Sequence, residues 1–164
     1  MKLTKIFLAV VALFALACTP NVNTGGGTTD TTKWENEGAL VGEWELTSWS
    51  DNKEAKPLIY LILNEDGSFD MYQKVNTPKW THYDGTYSVS EDNIISGEYS
   101  DGEKWHAEYL LTYAVNPTRI RLMNVMEAKE VLIYTESVVP TSVLEEAQAT
   151  PQPTSVRSVE YKFL

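Results

Sequence analysis

Between residues 40 and 138 the chain sets short runs of Val, Ile, Leu, Tyr and Trp between polar clusters that recur about every eight to twelve residues. Runs this short, alternating apolar with polar, predict strands and no internal helix. They fall at 40–49, 57–64, 68–75, 80–89, 94–99, 104–115, 119–125 and 130–138. The clusters between them are "NEDG" at 64–67, "NTPK" at 76–79, "SEDN" at 90–93, "SDGE" at 100–103, "NPT" at 116–118 and "MEAK" at 126–129. Residues of this kind supply the backbone angles that tight reversals require.

Alternation also assigns faces. Odd positions in 105–115 are Trp105, Ala107, Tyr109, Leu111, Tyr113 and Val115, whereas even ones include His106, Glu108 and Thr112. The odd face is therefore expected inside. The same reading turns Phe69, Met71, Tyr87, Val89, Tyr99 and Leu122 inward, with Asp70, Lys74, Ser88 and Ser90 outward. In 57–64 both faces are apolar, and Ile59, Leu61 and Leu63 are expected inside by continuity across the hairpin. Consecutive hairpins without crossover helices leave two all-β solutions, a sandwich or an eight-stranded up-and-down antiparallel barrel. The barrel is favoured because closure removes the unpaired edges of a meander.

The flanks read differently. Lys2 and Lys5 precede twelve apolar residues, "IFLAVVALFALA" at 6–17, and Cys18 follows. That stretch is too short to span a bilayer comfortably, so residues 1–17 are expected to be a signal peptide. The sequence "ALAC" at 15–18 resembles the lipobox of bacterial lipoproteins, with Ala15 where leucine is usual. The resemblance implies that Cys18 becomes an acylated N-terminus, carrying chains such as palmitate. Several chains bury enough methylenes, at about 0.8 kcal/mol each, for stable anchoring. Residues 18–37, with three consecutive glycines and many threonines, are expected to be a flexible linker to a barrel over 38–138. In the extension 139–164, "TSVLEEAQ" places Ser142 and Glu145 at capping-box spacing, which predicts a helix of about two turns. In the final "VRSVEYKFL", Val159, Tyr161 and Phe163 alternate with polar residues and suggest a ninth strand.

Gly42 and Trp44, a Gly-x-Trp on the first strand of an eight-stranded meander, together with "EDGSF" at 65–69 and "DGTYSV" at 84–89, resemble the lipocalin-like domains of bacterial lipoproteins. The resemblance implies a calycin-type barrel, an outer-membrane anchor and non-covalent carriage of a ligand. Lipocalins usually set a basic residue from a late strand against the motif tryptophan; 130–138 holds none, which leaves Arg157 in the tail. On physical grounds alone, Trp44 is expected to plug one barrel end with an aromatic surface of roughly 150 to 250 Å², and Gly42 to let the backbone enter that end tightly.

Composition narrows the function. The formal net charge is −10, and −12 once residues 1–17 and their two lysines are removed. Nucleic acid is thereby disfavoured, as is electrostatic adhesion to anionic lipid. His82 and His106, on outward positions, lack cysteine or carboxylate partners at metal-ligand spacing. No nucleophile elbow, phosphate loop or HExxH motif is present. The expectation is a monomer without metal, cofactor or catalytic residues. Tyr87, Tyr99, Tyr109 and Tyr113, beside Leu61, Phe69, Met71, Trp105 and Leu122, put several phenols inside, each needing a partner. Two readings follow. Either the barrel holds a small apolar or amphipathic ligand among these side chains, admitted at the end opposite Trp44, or its core is solid. A solid barrel would act as an interaction module of the cell envelope, docking a partner through Trp49, Tyr60, Ile62 and Tyr72 on its outer face.

Overall fold

The structure, a computed structural model, describes residues 32–50, 58–75, 77–149 and 162–164. Eight strands follow in order: β1 Gly42–Trp49, β2 Leu58–Leu63, β3 Ser68–Lys74, β4 Thr81–Val89, β5 Ile94–Tyr99, β6 Tyr109–Val115, β7 Thr118–Asn124 and β8 Val131–Glu136. Each pairs antiparallel with the next, and β1 also pairs with β8, so the sheet closes on itself as a barrel. The expected signal peptide, Cys18 and most of the linker lie outside the described residues. Within the stretch expected as linker, Glu35 already exchanges two backbone hydrogen bonds of 2.8 Å with Tyr113, and Trp34 lies over the guanidinium groups of Arg119 and Arg121.

The turn chemistry explains the hairpins. At the β2–β3 turn Gly67 has φ 81°, and Asp66 Oδ1 accepts from both the N–H and the hydroxyl of Ser68. Those bonds hold the Asp66 carboxyl below its usual range. At the β4–β5 turn Asn93 takes the left-handed conformation, φ 58°. The β7–β8 turn is tied by Asn124, whose Oδ1 accepts from the N–H groups of Met126 and Glu127.

Inward positions form one core. Trp44, Ile59, Leu61, Leu63, Phe69, Met71, Ile95, Leu111, Ile120, Leu122, Leu132 and Tyr134 are all essentially inaccessible. Antiparallel order puts the starts of the odd strands and the ends of the even ones at one end, which we call the floor; the other end is the mouth.

Three expectations fail for identifiable reasons. The strand expected over 104–115 begins only at Tyr109; Lys104 makes an isolated bridge to Glu98 and the Trp105 N–H donates to the Gly97 carbonyl, but the ladder between β5 and β6 holds two positions, Ile94 with Leu110 and Ile95 with Tyr109. Val89, expected inside, sits at the strand end and is 38% exposed. The helix α1, Thr141–Ala149, starts one residue before Ser142; the Pro140 carbonyl accepts from Val143 and Leu144, so Ser142 lies within the first turn. Of the suggested ninth strand only residues 162–164 are described, and they are not in a strand.

Candidate ligand-binding site

Trp44, on β1, is 1% exposed near the floor, and its indole N–H donates to the Leu40 carbonyl at 3.0 Å. Gly42 has φ 155°, a setting that side-chain-bearing residues rarely adopt, and lies against the same indole. Two of the tyrosines offered as ligand contacts also belong to this end. Tyr87 donates to the Asn64 carbonyl at the β2–β3 turn, and Tyr113 lies beneath Glu35 near the end of β6. Burial, with the neighbouring Tyr87, raises the Tyr113 phenol above its ordinary pKa.

Leu61, Phe69, Met71 and Leu122 face the centre and are at most 1% exposed. Trp105, though outside any strand, is 5% exposed and meets Phe69 edge to face at 5.3 Å. It can enter because β5 carries Gly97 opposite it: a Cβ there would stand 2.4 Å from the indole. A partly open side cleft of about 340 Å³ borders this place, lined by Tyr87, Ser96, Gly97, Lys104, Trp105 and Glu108 among others. Tyr109 turns its hydroxyl to His106 Nε2 at 3.0 Å, and His106 reaches Glu130 at 3.4 Å.

The mouth holds what the sequence did not reveal. Lys162, Phe163 and Leu164 lie in it, with Phe163 and Leu164 each 1% exposed. The Phe163 ring meets Trp49 edge to face at 5.1 Å, and its N–H donates to Gln73 Oε1 at 3.1 Å. Tyr99 Oη donates to the Leu164 carbonyl at 2.8 Å and accepts from the Leu164 N–H at 3.2 Å. Lys162 Nζ stands 4.5 Å from the Tyr99 ring centre and 5.8 Å from that of Tyr83. It also contacts Asp101 at 2.5 Å and Glu103 at 2.8 Å. Burial by itself lowers the Lys162 pKa, but the hydrogen bonds and charges of Asp101 and Glu103 outweigh it and leave the ammonium above its ordinary value. The hydrogen bond from Lys162 holds Asp101 below its own.

Of the nine ligand candidates, the structure brings Tyr99 to this mouth, gathers most others in the core, and leaves Tyr87 and Tyr113 at the floor. It adds Trp49, Gln73, Tyr83 and Tyr134. Trp49 was expected outside, but a bulge between Leu46 and Ser48 reverses the alternation, so that Trp49 pairs with inward Leu132. Gln73 and Tyr134 were legible in principle, being in phase with Met71 and Leu132 on their strands. The Tyr134 hydroxyl has no hydrogen-bond partner among the described residues, and burial, with Tyr99 nearby, drives its pKa strongly upward.

The outer face is also accounted for. Trp80, Val139, Val143 and Ala147 form a second apolar cluster against Tyr60, Ile62, Tyr72 and Leu144, so α1, with Trp80 and Val139, packs on the face that was expected to dock a partner. His82, expected on an outward position, stacks on Tyr72 and contacts Asp70 at 2.8 Å. Among the described residues no three His, Cys, Asp or Glu side chains group as metal ligands.

A search of curated proteins found no match to this chain. The family model described as "Lipocalin-like domain" matches residues 40–119, from just before β1 to the start of β7, and the barrel closes beyond it through β8. With Gly42 and Trp44 at the floor of a closed eight-stranded meander, the barrel is similar to a lipocalin-like domain over residues 40–119.

Proposed function

We propose that the barrel binds a small apolar or amphipathic molecule non-covalently at its mouth, without chemistry, while an acylated Cys18 holds the protein at a membrane of the envelope, the outer one in the favoured reading. One observation carries the binding reading. The mouth is closed not by its own strands but by Phe163 and Leu164, which meet buried polar groups, Gln73 and Tyr99, between aromatic rings. A few placed polar atoms in an apolar concavity are the usual make-up of a small-molecule site. The Tyr134 phenol, unpartnered among the described residues, supplies one more polar atom that a bound molecule or water can satisfy. The interaction-module reading loses support, since Tyr60, Ile62 and Tyr72 pack against Trp80, Val139 and α1, and Trp49 is against Phe163.

Trp49 and Trp105 make the test direct. Titrating the purified chain with fatty acids, sterols and aromatic metabolites is expected to give a saturable change in tryptophan emission for one class. No response to any of them removes the binding reading. Anchoring is tested separately: mass spectrometry of membrane-extracted protein is expected to find acyl chains on Cys18, and Cys18→Ala is expected to release it from the membrane fraction.

A further inference from the structure

We propose that the mouth is built for an apolar molecule carrying a cationic group, and that Lys162, Phe163 and Leu164 occupy its place until such a molecule displaces them. This deepens the binding reading above and rests on it. The three residues present a ligand's features in order. Lys162 offers an ammonium held between two carboxylates and the faces of Tyr83 and Tyr99, the surroundings that select an organic cation over an anion or a neutral head. Phe163 offers an apolar ring against Trp49, and its backbone, like that of Leu164, meets polar atoms of the wall.

Two further observations favour displacement. Residues 162–164 belong to no strand, so their departure breaks no ladder hydrogen bond. Asp101 and Glu103 are 62% and 66% exposed at the side chain, so their carboxylates remain open to an incoming cation. Deeper in the barrel, the buried Tyr134 hydroxyl, unpartnered among the described residues, gives a longer ligand a polar atom that these three residues leave unused. The acidic chain as a whole draws cations toward the site. A segment tied to the site competes as an intramolecular ligand, so weakening it raises the affinity of anything that takes its place.

The test uses three probes of equal chain length, octylamine, octanoate and octanol, followed by tryptophan emission of the full chain at neutral pH. Octylamine is expected to bind about tenfold more tightly than octanoate, from two carboxylates and two ring faces that favour a cation and repel an anion. Phe163→Ala with Leu164→Ala is expected to raise octylamine affinity by about tenfold. Lys162→Ala, which leaves the apolar contacts in place, is expected to raise it less and covers the case in which the double variant misfolds. Asp101→Asn with Glu103→Gln is expected to bring octylamine and octanoate within about twofold of each other. Equal affinity for amine and carboxylate in the unaltered chain overturns the cationic assignment. Octylamine affinity unchanged in both the double variant and Lys162→Ala overturns displacement. Silence toward all three probes, in the unaltered chain and the tail variants alike, overturns instead the binding reading beneath it.

Discussion

At the scale of single residues, the decisive contacts are aromatic. Trp44 closes the floor with nearly its whole surface buried and its one polar atom bonded to Leu40. Trp44→Ala is expected to cost about 3 to 5 kcal/mol, through lost burial and the cavity left behind. A urea denaturation midpoint that does not move refutes this. Gly97 governs the opposite side of the core: Gly97→Ala puts a methyl into the Trp105 ring and is expected to cost about 1 to 3 kcal/mol, read as a lower melting temperature. Trp44 was legible as a motif residue on an alternating strand. Trp49 was not, because one extra residue between Leu46 and Ser48 inverts the phase, and nothing local announces a bulge.

At the scale of elements, α1 and the start of β6 show where pattern reading stops. The helix was expected from the capping-box spacing of Ser142 and Glu145, but the surface it packs on came as a finding, since Tyr60, Ile62 and Tyr72 read equally well as a face awaiting a partner. Period two separates inside from outside in a strand; it says nothing about what lies on the outside. Val143→Asp sets a charge in this cluster and is expected to detach α1 at a cost of about 2 to 3 kcal/mol, the burial worth of one or two aliphatic side chains. Red-shifted tryptophan emission from uncovered Trp80, with the barrel's strand circular dichroism retained, is the signature. Over 104–108 the alternation of apolar and polar residues is present without the strand. Trp105 reaches the core from a loop held to β5 by one isolated bridge, Glu98 with Lys104, and by its own N–H on the Gly97 carbonyl, so the inward side chain needs no continuous strand.

At the scale of the whole molecule, the two ends of the barrel are closed differently, the floor by Trp44 and the strap around Glu35, the mouth by residues 162–164. The mouth contact is ionic as well as apolar, which gives it a pH window. Asp101 is held below its ordinary value of about 4, so its contribution is present above that value and lost as pH falls through the lowered one. Lys162 is held above its ordinary value of about 10.4, so its contribution is present below that value and lost as pH rises through the raised one. Residues 162–164 are therefore expected to stay docked between those limits and to loosen outside them, and also at high salt, since both carboxylates are largely exposed. The ring-proton shifts of Phe163, displaced by the Trp49 ring, report it by NMR; shifts constant through the acid limit refute it. By itself the sequence determined the order of eight strands and most of their facing, and favoured closure of the meander, because these follow from local alternation and turn residues a few positions apart. Only the tertiary structure decided what fills the mouth and what covers the outer face. Phe163 meets Gln73 across 90 positions of chain, and Leu164 meets Tyr99 across 65, separations over which no periodicity carries information.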